Sequence, residues 1–288
     1  MGDARGRTRR RAGQGAAWLA LAPFFLFGLA FEVVPVLTLL RSSLVVDTGF
    51  GLGNFRRALT PVMIASFRNS LQLSLSTALL GVGLGTVVAY ALVTTRSVTV
   101  RHALTALADV TTNFGGAPLA FAFIVTLGST GVVTLLLQKV GLELYPRFRI
   151  YSESGLTVAY LYFQLPLMIL LIMPALLGLR ADWREAATSL GATPTQFWTR
   201  VGLPLLAPSL LGSFLLLFAN AFGAYATAWT LTGPDVNLVT VQIAALVRGE
   251  VQLDPALADA LALLSLGVMA GCVAGYQWLS RRVRRWAA

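Results

Sequence analysis

The side chains best suited to covalent or metal chemistry are nearly missing from this chain. Among 288 residues there is one cysteine, Cys272, and one histidine, His102. The chain alone therefore assembles neither a disulfide framework nor a Cys/His zinc site, and a catalytic triad lacks its usual members. The single lysine, Lys139, stands in Gln138-Lys139-Val140, not in the Gly-Lys-Ser/Thr end of a phosphate-binding loop. No catalytic residue, metal-ligand set or cofactor is expected, so work against a gradient would draw on a partner or an ion. What remains is a set of polar and aromatic residues embedded in apolar sequence. Asn220, Gly223, Thr227 and Thr230 recur at three to four residues, with Tyr225 and Trp229 as a neighbouring aromatic stripe. Thr111, Thr112 and Asn113 precede Gly115-Gly116, and Tyr160, Tyr162 and Gln164 precede Pro166. Polar groups inside a bilayer mark solute paths, or they join helices through hydrogen bonds. Spacing alone leaves both open.

The elements that must carry these residues follow from composition. The chain is 56% hydrophobic and 12% charged, about half the charge of an ordinary soluble domain, which argues against a water-soluble enzyme. Six stretches reach the roughly 20 apolar residues that cross a bilayer: Ala17 to Leu40, Ser70 to Thr94, Ala103 to Leu127, Leu156 to Leu179, Pro208 to Thr230 and Pro255 to Trp278. The third is interrupted by Thr111, Thr112 and Asn113, and Gly115-Gly116 can break it. The first follows Arg5, Arg7, Arg9, Arg10 and Arg11 and lacks a small-residue cleavage site, which reads as a retained anchor. Val132 to Val140 and a piece within Asp235 to Asp254 are expected as short re-entrant or interfacial helices. A basic tail (1–16), a transmembrane domain (17–280) and a second basic tail (281–288) complete the layout.

The net charge of +10 is a topology signal rather than a nucleic-acid footprint. One side of a six-span layout holds the five N-terminal arginines with Arg96, Arg101, Arg180, Arg184, Arg200, Arg281, Arg282, Arg284 and Arg285, fourteen in all. The other holds Arg41, Arg56, Arg57, Arg68, Lys139, Arg147, Arg149 and Arg248, eight in all. The excess places both termini in the cytoplasm. Glu32, inside the first span, is expected at the outer interface beside Pro35.

The segment from Ala181 to Pro204 falls on the same basic side. Asp182 and Glu185, three apart before an Ala-rich run, suggest a capping box that opens a helix, and Gly191 suits the left-handed position that closes it. Thr193, Pro194 and Gln196 supply a second N-cap, a first-turn proline and a second box. A helix, a sharp turn and a second helix are therefore expected at the membrane surface. Phe197 and Trp198 could anchor a protein partner or rest on the membrane interface.

Glu185-Ala186-Ala187, Gly191 six residues later, Val201 ten after that glycine, and Leu203-Pro204 resemble the EAA loop of ABC importer permeases, with Val201 where the family usually has Ile. The resemblance covers roughly Ser70 to Arg281. It implies an all-α, polytopic bundle of six transmembrane helices with the type I importer, methionine-importer-like fold, set in a bacterial inner membrane. It also implies ATPase coupling through residues 181–204, carried by Glu185, Ala186, Ala187, Gly191, Leu203 and Pro204. The implied partners are a cytoplasmic ABC ATPase dimer, a second permease subunit (identical or not) and an extracytoplasmic substrate-binding protein. Asn113, Tyr160, Gln164, Asn220, Tyr225, Thr227 and Trp229 would then border the substrate path. Asn113 to Phe123 and Phe222 to Thr227 look most like the spermidine/putrescine branch, which points to a polyamine ahead of iron(III), phosphonate, thiamine or sugar. An ion-coupled transporter acting without an ATPase is the competing reading; Glu32 and Asp259 are its only acidic candidates.

Overall fold

The computed structural model describes residues 21–46, 49–95, 97–250 and 252–286, with side chains up to Trp278. The basic N-terminal tail, Arg96 and the side chains of the closing arginines lie outside the described residues. The described chain consists of helices joined by loops, with one two-stranded hairpin in which β1 (Val45–Val46) pairs antiparallel with β2 (Gly49–Phe50). The helices are α1 (Leu21–Ser43), α2 (Gly53–Arg57), α3 (Pro61–Thr94), α4 (Val98–Thr112), α5 (Gly116–Leu127), α6 (Val132–Lys139), α7 (Glu153–Leu177), α8 (Ala181–Ser189), α9 (Pro194–Phe197), α10 (Leu203–Gly223), α11 (Tyr225–Thr232), α12 (Val239–Arg248) and α13 (Pro255–Trp286).

Six segments of the described chain are long and apolar enough to cross a membrane. Large apolar side chains such as Phe24, Leu79, Val87 and Phe121 stand more than half exposed, a surface that suits hydrocarbon rather than water. The third segment is not Ala103 to Leu127. The chain breaks at Asn113–Gly115 between α4 and α5, with Gly116 at φ +68°. The membrane-length apolar stretch runs instead from Gly116 to Lys139, itself interrupted between α5 and α6. The fifth is displaced as well, since its helix starts at Leu203 and ends at Gly223, and Ala224 separates it from α11. The short helices expected near 132–140 and within 235–254 are present as α6 and α12.

The centre of the bundle is α3 packed on α7, with α10 against both. α3 carries small residues on its buried stripe, among them Ser70, Ser74, Ala78, Gly81, Gly85 and Ala89. In a bilayer, close backbone approach of this kind supplies the association that hydrophobic exclusion cannot. A Cβ on Gly85 would lie 2.6 Å from the Cβ of Met168, and one on Gly81 would lie 2.8 Å from Leu217 Cδ2. Around this seam Ala78, Met168, Ile172, Leu206, Leu217 and Phe222 form one apolar cluster, and Leu119, Leu156, Ala159, Tyr160, Ala221 and Leu231 form a second. α1 packs along α13 and buries only Ser43. Buried Asn54 ties the end of α1 to the hairpin, its Nδ2 donating to the carbonyls of Ser43 (3.1 Å) and Val45 (2.8 Å).

Candidate functional site

The 181–204 segment has the two-helix form that its sequence anticipates, with one change at its start. The N-cap of α8 is Arg180, which makes no side-chain cap. Asp182 sits inside the first turn and pairs with the Arg180 guanidinium at 2.6 Å, so the Asp182/Glu185 capping box does not form. The other end follows the Schellman pattern. Gly191, at φ +78°, donates to the Thr188 carbonyl at 2.9 Å, and Ala192 N–H donates to the Ala187 carbonyl at 2.9 Å. The second box is complete: Thr193 Oγ1 accepts from Gln196 N–H at 3.3 Å, and Gln196 Oε1 accepts from Thr193 N–H at 2.8 Å.

α8 buries none of its residues. Glu185 and Ala186 are exposed, Ala187 is half-buried, and Leu203 and Pro204 are exposed where α10 begins. Phe197 and Trp198 do not face outward as partner anchors. Phe197 is buried, and Trp198 stacks edge-on with Tyr90 of α3 at 5.2 Å while its ring lies over Gly202, where a Cβ would fall 2.5 Å from the ring. These two aromatics fasten the loop to its own bundle. The most exposed apolar side chain here is Leu190, at 88%, followed by Leu203 at 47% and Trp183 at 39%. Sequence reasoning passed over Leu190, although a leucine immediately before a C-terminal glycine, on a helix with no buried face, is the available signal.

The polar residues of the spans separate into two groups. Most are spent on the protein itself. Thr111, Thr112 and Asn113 each bond back to a carbonyl four residues earlier in α4. Fully buried Tyr160 donates to the Ala224 carbonyl at 2.7 Å, where α10 gives way to α11. Gln164, also fully buried, has its Nε2 3.3 Å from the Leu217 carbonyl, joining α7 to α10. Thr227 Oγ1 reaches the Gly116 carbonyl at 3.4 Å, so the two helix interruptions face each other. Because α10 ends at Gly223, Asn220 and Thr227 do not share one continuous helical face. Asn220 is exposed.

The second group is a cluster on α11 and α12. Tyr225 and Trp229 stack at 6.0 Å with their rings 23° apart. The Arg248 guanidinium lies 5.4 Å from the Tyr225 centroid and 5.9 Å from that of Trp229. Tyr225 and Trp229 are brought together as their spacing implies, and Arg248 joins them from a segment that the sequence does not connect to them.

No protein-family model matches the chain. Among curated proteins it is similar to the molybdenum transport system permease protein ModB of Mycobacterium tuberculosis, 30% identical over 161 residues that form 56% of this chain and 57% of that one. It is also similar to the thiamine transport system permease protein ThiP of Escherichia coli, 29% identical over 57% of this chain and 30% of that one. A third relative is the spermidine/putrescine transport system permease protein PotB of Haemophilus influenzae, 34% identical over 40% of each chain. Its homologues are ABC importer permeases. These are transport subunits rather than enzymes. The matched stretch spans 57% of the ModB relative's length and less of the other two. The permease fold extends further. A bacterial ABC transporter involved in import of the acidic polysaccharide alginate superposes with a TM-score of 0.74 at 19% identity, covering 95% of this chain and 99% of that one. The MetNI methionine ABC transporter in an inward-facing conformation gives 0.53 at 15% identity, over 78% and 99%.

Proposed function

We propose that the chain is a permease subunit of a binding-protein-dependent ABC importer, pairing with a second permease subunit and taking its energy from a separate ATPase. The observation that carries this reading is α8, a helix that buries none of its residues and is held by a Schellman turn, a capping box and the Trp198–Tyr90 contact. A helix so firmly oriented and so little used by its own fold suits insertion into a cleft on another protein. Leu190 and Trp183 are the apolar anchors of that contact, Glu185 is its polar member, and Ala186 and Ala187 permit close approach. The arginine distribution supports a cytoplasmic position for this face and for both termini. One related structure is of an alginate transporter in complex with a ligand-bound periplasmic protein, which supports an extracytoplasmic binding protein as the source of solute. The relatives' names cover molybdenum, thiamine, sulfate and spermidine/putrescine, so they do not single out the polyamine suggested by the sequence.

The test is ATP-driven uptake by the reconstituted transporter together with co-purification of its ATPase. Leu190→Asp and Glu185→Ala should abolish both while leaving the thermal melt of the permease unchanged. Uptake by this chain alone, driven by an ion gradient, would overturn the reading.

A further inference from the structure

The Tyr225–Trp229–Arg248 cluster borders a cavity of about 370 Å³ lined by Tyr225, Thr240, Ile243, Ala244, Val247 and Arg248. Its walls are apolar except at one end, where the Arg248 guanidinium rests on two stacked aromatic rings. That platform fixes the plane of the fork without using its N–H groups. Among the described residues the one acid within 4 Å of it is Glu250, whose Oε1 is 3.7 Å from Nη1, an ion pair too long for a hydrogen bond. Beside it the Tyr225 hydroxyl is buried and has no partner, a donor whose unmet capacity costs about 1–3 kcal/mol. The site thus offers a positive charge whose N–H groups are not taken up by the rings, and the ring faces that meet it are covered by Arg248.

We propose that this cavity binds an oxyanion: a tetrahedral anion such as sulfate or molybdate, or the phosphate of an anionic lipid, held by the Arg248 fork. As part of a solute path the site rests on the importer function proposed above, but its anion chemistry does not.

The experiment uses the full chain in phosphatidylcholine nanodiscs without ATPase, so its outcome is independent of the uptake assay. Equilibrium binding is measured with radiolabelled sulfate, molybdate and phosphate. Saturable binding is expected, weakened about tenfold or more by Arg248→Gln, as loss of a charged hydrogen-bonding partner implies, strengthened by Glu250→Gln and unchanged by Arg147→Gln at another exposed arginine. Retention of phosphatidylglycerol seen by native mass spectrometry, lost in Arg248→Gln and without free-anion binding, assigns the site to a lipid headgroup. Absence of every anion and of lipid, equal binding by Arg248→Gln, or displacement of the anion by putrescine overturns the proposal.

Discussion

Tyr160 shows how much a single residue can settle in this fold. Its ring fills the cluster between α5, α7 and α11, and its hydroxyl meets a carbonyl freed where α10 stops. In hydrocarbon that carbonyl has no water to turn to. Tyr160→Phe should therefore destabilise the bundle by about 1–3 kcal/mol, read as a lower melting temperature in detergent. Tyr162→Phe, on a half-exposed neighbour packed edge-on against Phe123, should change it little. Gly191 invites a different test. A Cβ there meets no atom within 4 Å, so Gly191→Ala costs only the left-handed backbone, about 1–2 kcal/mol. Uptake should fall because α8 is no longer held at its angle, while the α3–α7 core, measured by melting, is untouched.

At the scale of elements, α3 and α7 decide the architecture, and their contact is the most sensitive to added volume. Gly85→Val would drive methyl groups into Met168 and should cost about 1–3 kcal/mol by overpacking. Gly83→Val, two residues along the same helix with open space at its Cβ, should be close to neutral, a contrast that melting curves of the two variants resolve. Much of this layout is legible in the chain. Runs of some 20 apolar residues announce spans, and Gly191, Thr193, Pro194 and Gln196 announce the surface loop, because turn and cap chemistry acts over a few neighbouring residues. The interruption at Ala224 is not legible. No proline or positive-φ glycine marks it, and the carbonyl it frees is met by Tyr160, 64 residues away, whose hydroxyl donates to Ala224 O. The outward reading of Phe197 and Trp198 fails for a related reason. The Trp198 ring meets Tyr90 of α3, more than a hundred residues earlier, and Phe197 packs on Trp198, an arrangement that local pattern does not contain. Arg248 came to the aromatic pair in the same long-range way.

For the whole molecule, orientation in the membrane is the property on which the functional reading depends. In a Cys272→Ser background, Ser189→Cys should resist a membrane-impermeant maleimide added to intact cells and react after permeabilisation, whereas Glu143→Cys should react from outside at once. The reverse pattern would put the α8 face away from any cytoplasmic ATPase. The route from that face into the bundle is continuous. α9 runs through the wide turn at Trp198–Gly202 directly into α10, whose 21 residues extend about 30 Å before the chain parts at Ala224. A tilt of about 5° at the base of a rod that long carries its far end by about 3 Å. Because the rod stops at an interruption braced by one phenolic hydroxyl, such a displacement would arrive at α11 as a push instead of a rotation. α10 is thus fixed at both ends as well as along its packed sides, by Trp198 against Tyr90 at one end and by the Tyr160 hydroxyl on Ala224 at the other.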